Sequence, residues 1–215
     1  MAKMNKGIFG PVLGKVYNLI FSSWKGKNYA KKPANPLPKG KKRSQAPSQK
    51  ASQNKMRFIS PFQSPFRDYI NIGFKHASQD KTELNASYSY NYNKAFIVDG
   101  TNISVDYSNY TISVGKLPMV KDLQATLSAP DTISLTWKKD TKKGTTYNDQ
   151  LMMMIYNEEQ HMTDGFTGGM NRATENGTFV FNEYLKGHLV HVYFSLTSFD
   201  RKQVAESIYW GTLQL

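Results

Sequence analysis

Alternating apolar and polar positions dominate residues 119–215 and predict a β-sandwich there. Ile133, Leu135 and Trp137 alternate with polar residues after a turn at Pro130-Asp131, as in a strand with one buried face. The continuous apolar run Leu151–Tyr156 is typical of a central strand buried on both faces. Together with shorter alternating stretches, this pattern predicts roughly seven strands, with a loop at Gly165–Gly169; the other strands are expected at 123–127, 178–183, 190–196 and 207–213.

The pattern of residues 58–118 is mixed and predicts a helix followed by a β-hairpin. Thr82 is a suitable N-cap for a helix that continues to about Lys94. Apolar residues alternate on both sides of Ser108-Asn109, which predicts a hairpin turn at that pair. The stretch Phe66–Phe74 fits either a short strand or a helix. Upstream, residues 48–58 tolerate a helix, which we expect Pro61 and Pro65 to break.

Residues 1–57 differ from the rest and are interpreted as an N-terminal arm. Within 1–30, two extended segments flank Ser22-Ser23, which predicts a hairpin turning at the serines. Three prolines and dense charge in residues 31–44 exclude a helix and a core there, so 31–57 is interpreted as a linker. The predicted fold class is therefore mainly β with a few helices (α+β). It comprises an extended arm over 1–57, a helix-plus-hairpin region over 58–118 and an immunoglobulin- or fibronectin-like sandwich over 119–215.

Charge divides the chain at the same place. The 215 residues have a net charge of +12, with 28 Lys or Arg and 16 Asp or Glu. Residues 1–57 contain 14 of the basic side chains and none of the acidic ones, since Asp68 is the first acid. A block of like charge repels itself and needs an anionic partner or a surrounding assembly to become ordered.

The arm is therefore the candidate contact site, because its cations are interleaved with aromatic residues. Cations neutralise phosphates and release counterions, and exposed rings stack on unpaired bases, so RNA or DNA is one predicted partner. An acidic protein surface or a neighbouring subunit of a larger homo- or hetero-oligomeric assembly is the equally weighted alternative. The candidate residues are Lys15, Tyr17, Trp24, Lys25, Lys27, Lys31, Lys32, Lys39, Lys41, Lys42, Arg43, Lys50, Lys55 and Arg57.

Catalytic and metal chemistry is not favoured. The chain has no cysteine, which excludes disulfides, thiolate zinc sites and a Cys nucleophile. His188 and His191 are three residues apart on a predicted strand and should point to opposite faces. The carboxylates of Glu158, Glu159 and Asp164 are best interpreted as a solvated loop, and no Ser-His-Asp order, nucleophile elbow or phosphate loop is present. We therefore expect a protein that is not an enzyme and has no metal or cofactor, in which the methionines 152–154 fill a core.

The sequence also predicts where the protein is found. Basic residues precede the apolar stretch Ile8–Phe21, but Pro11, Gly14 and Lys15 interrupt it, so secretion is not expected. No stretch approaches the ~20 apolar residues of a membrane-spanning helix. A cytoplasmic location, or one within a phage- or virus-like particle, is the expectation.

Several short motifs occur along the chain: Gly14-Lys-Val16, Trp24-Lys-Gly26, Asn35-Pro36 and a Gln-rich stretch at Gln45–Phe58, followed by Ile72-Gly-Phe74 and Tyr88-Ser-Tyr90-Asn91. Together they resemble an uncharacterised protein family common in Bacteroidota. The resemblance implies no activity and no catalytic residues. Similar motifs in phage and prophage-like proteins imply a particle or assembly component. The chain departs from the family pattern at Leu37 and Pro38, which an additional basic run, Lys39–Arg43, follows.

The sequence thus predicts a non-enzymatic structural or assembly protein with an arm that contacts nucleic acid or neighbouring subunits. The alternative is a self-assembling or protein-binding module, surface or adhesin-like, without a nucleic-acid role.

Overall fold

Strands predominate over helices, which confirms the predicted mainly β class with a few helices. The chain forms two compact units, Met1–Lys50 and Ala51–Leu215. The computed structural model describes residues 3–4, 12–24, 26–36, 38, 40, 44–77, 80–100, 102–140 and 144–215.

Four antiparallel strands form the sheet of the first unit, in chain order: β1 (Lys3–Met4), β2 (Val12–Val16), β3 (Leu19–Trp24) and β4 (Lys27–Lys31). The predicted turn at Ser22-Ser23 is wrong, because both serines lie inside β3 and pair with Tyr29 and Asn28 of β4. The chain reverses instead at Tyr17-Asn18 and across Gly26, where Tyr17 and Gly26 have φ of +46° and +77°. Positive φ values suit two-residue hairpin turns, whereas serine is compatible with a strand interior.

Three helices open the second part of the chain: α1 (Pro47–Gln63), α2 (Arg67–Gly73) and α3 (Glu83–Asn91). The prediction that Pro61 breaks the helix is wrong, because α1 continues through it for two further residues. Proline removes one backbone hydrogen bond, and the burial of Ile59 and Phe62 on the same helix stabilises the last turn against that loss. Pro65 then lies in a single turn of 3-10 helix, Ser64–Phe66, which leads into α2.

α3 confirms the predicted helix and its cap. The backbone N–H of Asn85 donates to Thr82 Oγ1 at 3.3 Å, and the helix ends at Asn91, three residues before the predicted end. The ambiguous stretch Phe66–Phe74 proves helical, as α2.

The hairpin of the middle region lies earlier than predicted. It consists of β5 (Phe96–Asp99) and β6 (Asn102–Val105), and residues 110–120, directly after Ser108-Asn109, form no strand. The Asp106 carboxylate accepts hydrogen bonds from the side chains and backbone N–H groups of Ser108 and Asn109, which lowers the pKa of Asp106 and shapes a turn.

The segment after that turn is extended but joins no sheet. Its backbone bonds to side chains instead: the amide of Asn91 accepts from the N–H of Thr111 and donates to the carbonyl of Thr111, both at 2.9 Å. Farther along, the N–H of Val114 donates to Gly73 O at 3.0 Å. The alternation of apolar residues here therefore reflects burial between other elements.

Seven strands follow, as predicted, in two sheets. They are β7 (Lys121–Ala129), β8 (Thr132–Lys138), β9 (Gln150–Asn157), β10 (Met162–Asn171), β11 (Asn176–Val180), β12 (Leu189–Thr197) and β13 (Ile208–Gln214). One sheet has the order β11-β8-β7 and the other β10-β9-β12-β13. The predicted loop at Gly165–Gly169 is wrong, since these residues belong to β10, with an irregular register between Phe166 and Met170.

Strand β9 is buried on both faces, as its apolar run predicts. Leu151, Met153 and Ile155 join a core shared by the two sheets. Met152, Met154 and Tyr156 join a second core with α1, α2 and α3 residues. All three methionines are 0% exposed, so the run fills cores on both sides of the sheet.

This shared sheet joins the regions predicted as 58–118 and 119–215. Phe66 and Ile70 of the helical region and Tyr193 of β12 belong to the same buried cluster. The segment 31–57, interpreted as a linker, includes the start of α1 at Pro47. The four-stranded sheet of the second unit therefore has helices on one face and a three-stranded sheet on the other.

Candidate functional site

The strand register of the first unit brings cations and aromatic rings onto one face of its sheet. Lys15 of β2 lies opposite Ile20 of β3, which lies opposite Lys31 of β4. Residues directly opposite each other share a face, and side chains alternate along a strand. The same face therefore contains two further cross-strand pairs, Trp24 with Lys27 and Ser22 with Tyr29. We call the five residues Lys15, Trp24, Lys27, Tyr29 and Lys31 the cationic face, and all five are exposed.

The two rings of the cationic face are close neighbours. Trp24 lies opposite Lys27, and Tyr29 is two residues farther along β4. Diagonal pairs of this kind are about 7–8 Å apart, within reach of one extended ligand. Trp24 is 43% exposed and Tyr29 48%, so both can be contacted from solvent.

The opposite face of the three longer strands is uncharged among the described residues. Val16 pairs with Leu19, and Phe21 lies between Gly14 and Ala30. Val16 is 44% exposed and Leu19 39%. We call Val16, Leu19, Phe21 and Ala30 the uncharged face. The described lysines of β2, β3 and β4 thus share one face, which also contains Ile20, and the described part of the opposite face has no charged side chain.

Of the remaining predicted contact residues, those that the structure describes lie outside this face. Tyr17 lies in the β2–β3 turn, where it is 93% exposed, and Lys32 follows β4. Lys50 and Arg57 are exposed on α1. Five further candidates lie outside the described residues: Lys25, Lys39, Lys41, Lys42 and Arg43.

The prediction that Lys55 belongs to a contact surface is wrong, because this residue is buried and only 7% exposed. Its Nζ donates to the backbone carbonyl of Tyr92 at 2.5 Å and lies 3.8 Å from the centre of the Tyr92 ring. Burial lowers the pKa of the Lys55 ammonium group from its usual value. Its place on the buried side of α1, beside Ile59, is the helical spacing that could have indicated this from the sequence.

Comparison with known proteins assigns a family. The model of the family of unknown function DUF6266 matches residues 10–211. The chain belongs to this family. The expectation of an uncharacterised family is thereby confirmed. No curated protein matches the chain.

The family match covers both compact units. It begins at residue 10, so it includes β2, β3 and β4 together with the sheets of the second unit. The cationic face is therefore within the family's own region of the chain.

A second polar cluster lies on the second unit, around His191. His191 stacks on Tyr107 with ring centres 3.7 Å apart, and its Nδ1 is joined to the Tyr209 hydroxyl by a 3.0 Å hydrogen bond. Its Nε2 lies 4.0 Å from Glu158 Oε2. Burial lowers the pKa of His191, and burial with the nearby Glu158 carboxylate raises the pKa of Tyr107. Only the alternation of β12 could have indicated His191 as half-buried.

Glu158 and Glu159 lie on an exposed turn, as the sequence predicted, whereas the prediction of a solvated loop is wrong for Asp164, which is half-buried in β10. Glu158 points toward His191, whereas Glu159 Oε2 lies 3.1 Å from Nδ1 of His188. Within the described part of the chain, no three His, Asp or Glu side chains form a group that could hold a metal ion.

A buried ion pair fixes the end of β9. Arg172 Nε donates to Asp149 Oδ2 at 3.1 Å, with side chains 2% and 1% exposed. The backbone carbonyl of Arg172 accepts from Trp137 Nε1 at 2.9 Å, which links both sheets. Arg172 Nη1 is buried without a hydrogen-bond partner. Because both charges are buried, this ion pair holds the chain in place and is not accessible to a ligand from solvent.

Shallow cavities occur on the second unit. One of about 400 Å³ is lined by His76, Lys116 and Lys202. Asp200 Oδ2 lies 3.1 Å from Lys202 Nζ, so the carboxylate offsets much of the positive charge of Lys202.

No helix in the described ranges combines the length and apolar character needed to cross a membrane.

Proposed function

We propose that this protein is a non-enzymatic structural or assembly protein that contacts nucleic acid through the cationic face of its N-terminal sheet. The single observation that supports this is the register of β2, β3 and β4, by which Lys15, Lys27 and Lys31 share one face with Trp24 and Tyr29. A phage- or particle-type assembly is the setting that the sequence resemblance favours.

Electrostatics gives the contact its affinity. Residues 1–57 contain 14 Lys or Arg and no acidic side chain, so the segment that contains this face has a net charge of +14. Each phosphate that a lysine neutralises releases condensed counterions, and the observed binding constant then falls as salt rises.

The second unit supplies a protein-contact surface in this proposal. Its sheets, β11-β8-β7 and β10-β9-β12-β13, support the finer assignment to an immunoglobulin- or fibronectin-like sandwich. That architecture hosts many unrelated roles, so it supports a scaffold and implies no reaction.

The test is a salt titration of the full-length chain with a 30-nucleotide oligo(dT). We expect the variant K15Q/K27Q/K31Q to bind more weakly and to lower the slope of log K against log salt by about 2, the value for three phosphate contacts on a single strand. The matched control K116Q/K139Q/K186Q removes three exposed lysines of the second unit and should leave the slope close to that of the wild type. Equal slopes for both variants would refute the proposal.

A second candidate function, subunit contact, is favoured by the uncharged face. Val16 and Leu19 expose apolar surface on the side of the sheet opposite the lysines. If this surface joins copies of the chain, light scattering of nuclease-treated protein will show oligomers that V16T/L19T reduces to monomers. A monomeric wild type would remove this candidate and leave the nucleic-acid proposal intact.

A further inference from the structure

The two aromatic rings of the cationic face indicate which class of nucleic acid would bind there. We infer that its ligand is a single strand, with Trp24 and Tyr29 stacking on unpaired bases and Lys15, Lys27 and Lys31 contacting phosphates. This inference rests on the proposed function and specifies its ligand.

The rings are placed for stacking and flanked by charge. Trp24 and Tyr29 are diagonal neighbours on adjacent strands, with Lys27 directly opposite Trp24. Lys31 lies two residues beyond Tyr29, about 7 Å along β4. Lys15 lies on the same face, two strands away. An extended strand of nucleotides crossing this face meets rings and cations alternately.

Exposure of the rings also favours bases as ligands. Trp24 is 43% exposed and Tyr29 48%, although a Trp side chain gains more than most from burial. Stacking on a base buries the ring while the phosphates stay in water beside the lysines. Every base has a π-face, so such binding tolerates sequence variation.

Duplex DNA fits this face poorly. The face lies on three paired strands, β2, β3 and β4, of a four-stranded sheet, whereas the major groove admits one helix or a two-stranded ribbon. In a duplex the bases are stacked on one another, so the rings of a flat sheet reach only the backbone. Sheet faces bearing aromatic residues are a known platform for unpaired bases.

The experiment compares two double variants that differ only in keeping a ring. W24V/Y29V removes both π-faces and keeps residues suited to strands, whereas W24F/Y29F retains a ring at each position. We expect W24V/Y29V to lose about 30-fold or more in affinity for a 30-nucleotide oligo(dT), and W24F/Y29F to stay within about 5-fold of wild type. Affinity for a 30-base-pair duplex should change less than about 3-fold in both. The control Y147A/F199A removes two exposed aromatic residues of the second unit and should change neither.

A measurement on unchanged protein supports the comparison if W24V/Y29V fails to fold. Oligo(dT) and oligo(U) should quench tryptophan fluorescence of the wild type at saturation, and polyphosphate should not. The quenching should disappear in W24F, because Trp137 is buried and Trp210 half-buried.

Failure of this inference is distinguishable from failure of the proposed function. Equal losses for W24V/Y29V and W24F/Y29F, equal losses on duplex and single strand, or quenching by polyphosphate would overturn the stacking role. If K15Q/K27Q/K31Q binds oligo(dT) as tightly as wild type, the proposed function itself is wrong.

Discussion

Individual side chains of like charge have opposite roles in this protein. Lys27 and Lys31 lie exposed on a sheet face, whereas Lys55 is buried against Tyr92. The amino-acid composition does not distinguish these three lysines. Only strand register and helical spacing separate a contact residue from a structural one.

Lys55 provides the first test at this scale. Replacing it by alanine leaves the Tyr92 carbonyl without its donor and removes the cation above the Tyr92 ring, so the free energy of unfolding should fall by about 1–3 kcal/mol. Urea denaturation measures this. The exposed Arg57 on the same helix is the matched control, and R57Q should change stability by about 0.5 kcal/mol or less. Oligo(dT) affinity that fell with K55A in folded protein would return Lys55 to the contact surface.

His191 gives a pH-dependent prediction. It is half-buried among Tyr107, Tyr156, Tyr209 and Glu158, and burial holds its pKa below the usual value of about 6.5 despite the nearby carboxylate. Below pH 6.5 the unfolded chain binds the proton more readily than the folded one, so the free energy of unfolding falls as pH falls toward the folded pKa.

The variant H191Q should reduce this dependence. Urea denaturation at pH 7.5 and pH 5.5 should show a larger loss for wild type than for H191Q, whose side chain does not titrate. The two proteins differ only at position 191, so the difference between their losses reports the contribution of this side chain and its contacts. An equal loss in the two proteins would show that His191 is not the responsive group.

Among the elements, strands β8, β9 and β12 could be predicted because alternation or a continuous apolar run expresses their burial directly. The chain reversal at Gly26 could not be predicted, because serine fits turns and strands alike and Ser22-Ser23 was the more obvious turn. The positive φ of Gly26 decides where the chain reverses. The helix through Pro61 was missed because tertiary burial of Ile59 and Phe62 outweighs one lost hydrogen bond.

The segment at Thr111 shows why a strand-like pattern need not make a strand. Asn91 satisfies the backbone of Thr111 through two hydrogen bonds, so no neighbouring strand is required. N91A should lower the free energy of unfolding by about 2–4 kcal/mol, since it leaves a buried N–H and carbonyl unpaired. The exposed neighbour N93A should be nearly neutral in the same urea titration. If N91A leaves the free energy of unfolding unchanged, water replaces the side-chain amide of Asn91 as the hydrogen-bond partner of Thr111.

On the scale of the whole molecule, the sequence shows a charge division at about residue 57, and the structure divides the chain into units at Lys50 and Ala51. The candidate site was predicted as residue types and a segment. Its arrangement could not be, since pairing register decides which lysines share a face with Trp24 and no local pattern states that register.

The most direct test of the account is lysine footprinting of the full-length chain. Acetylation read by mass spectrometry, with and without saturating oligo(dT), reports which lysines the ligand covers. If the N-terminal sheet binds the ligand, Lys15, Lys27 and Lys31 will be protected. Lys116, Lys139 and Lys186 will keep their reactivity. Protection of the second group without the first would contradict the claim that the N-terminal sheet is the nucleic-acid contact.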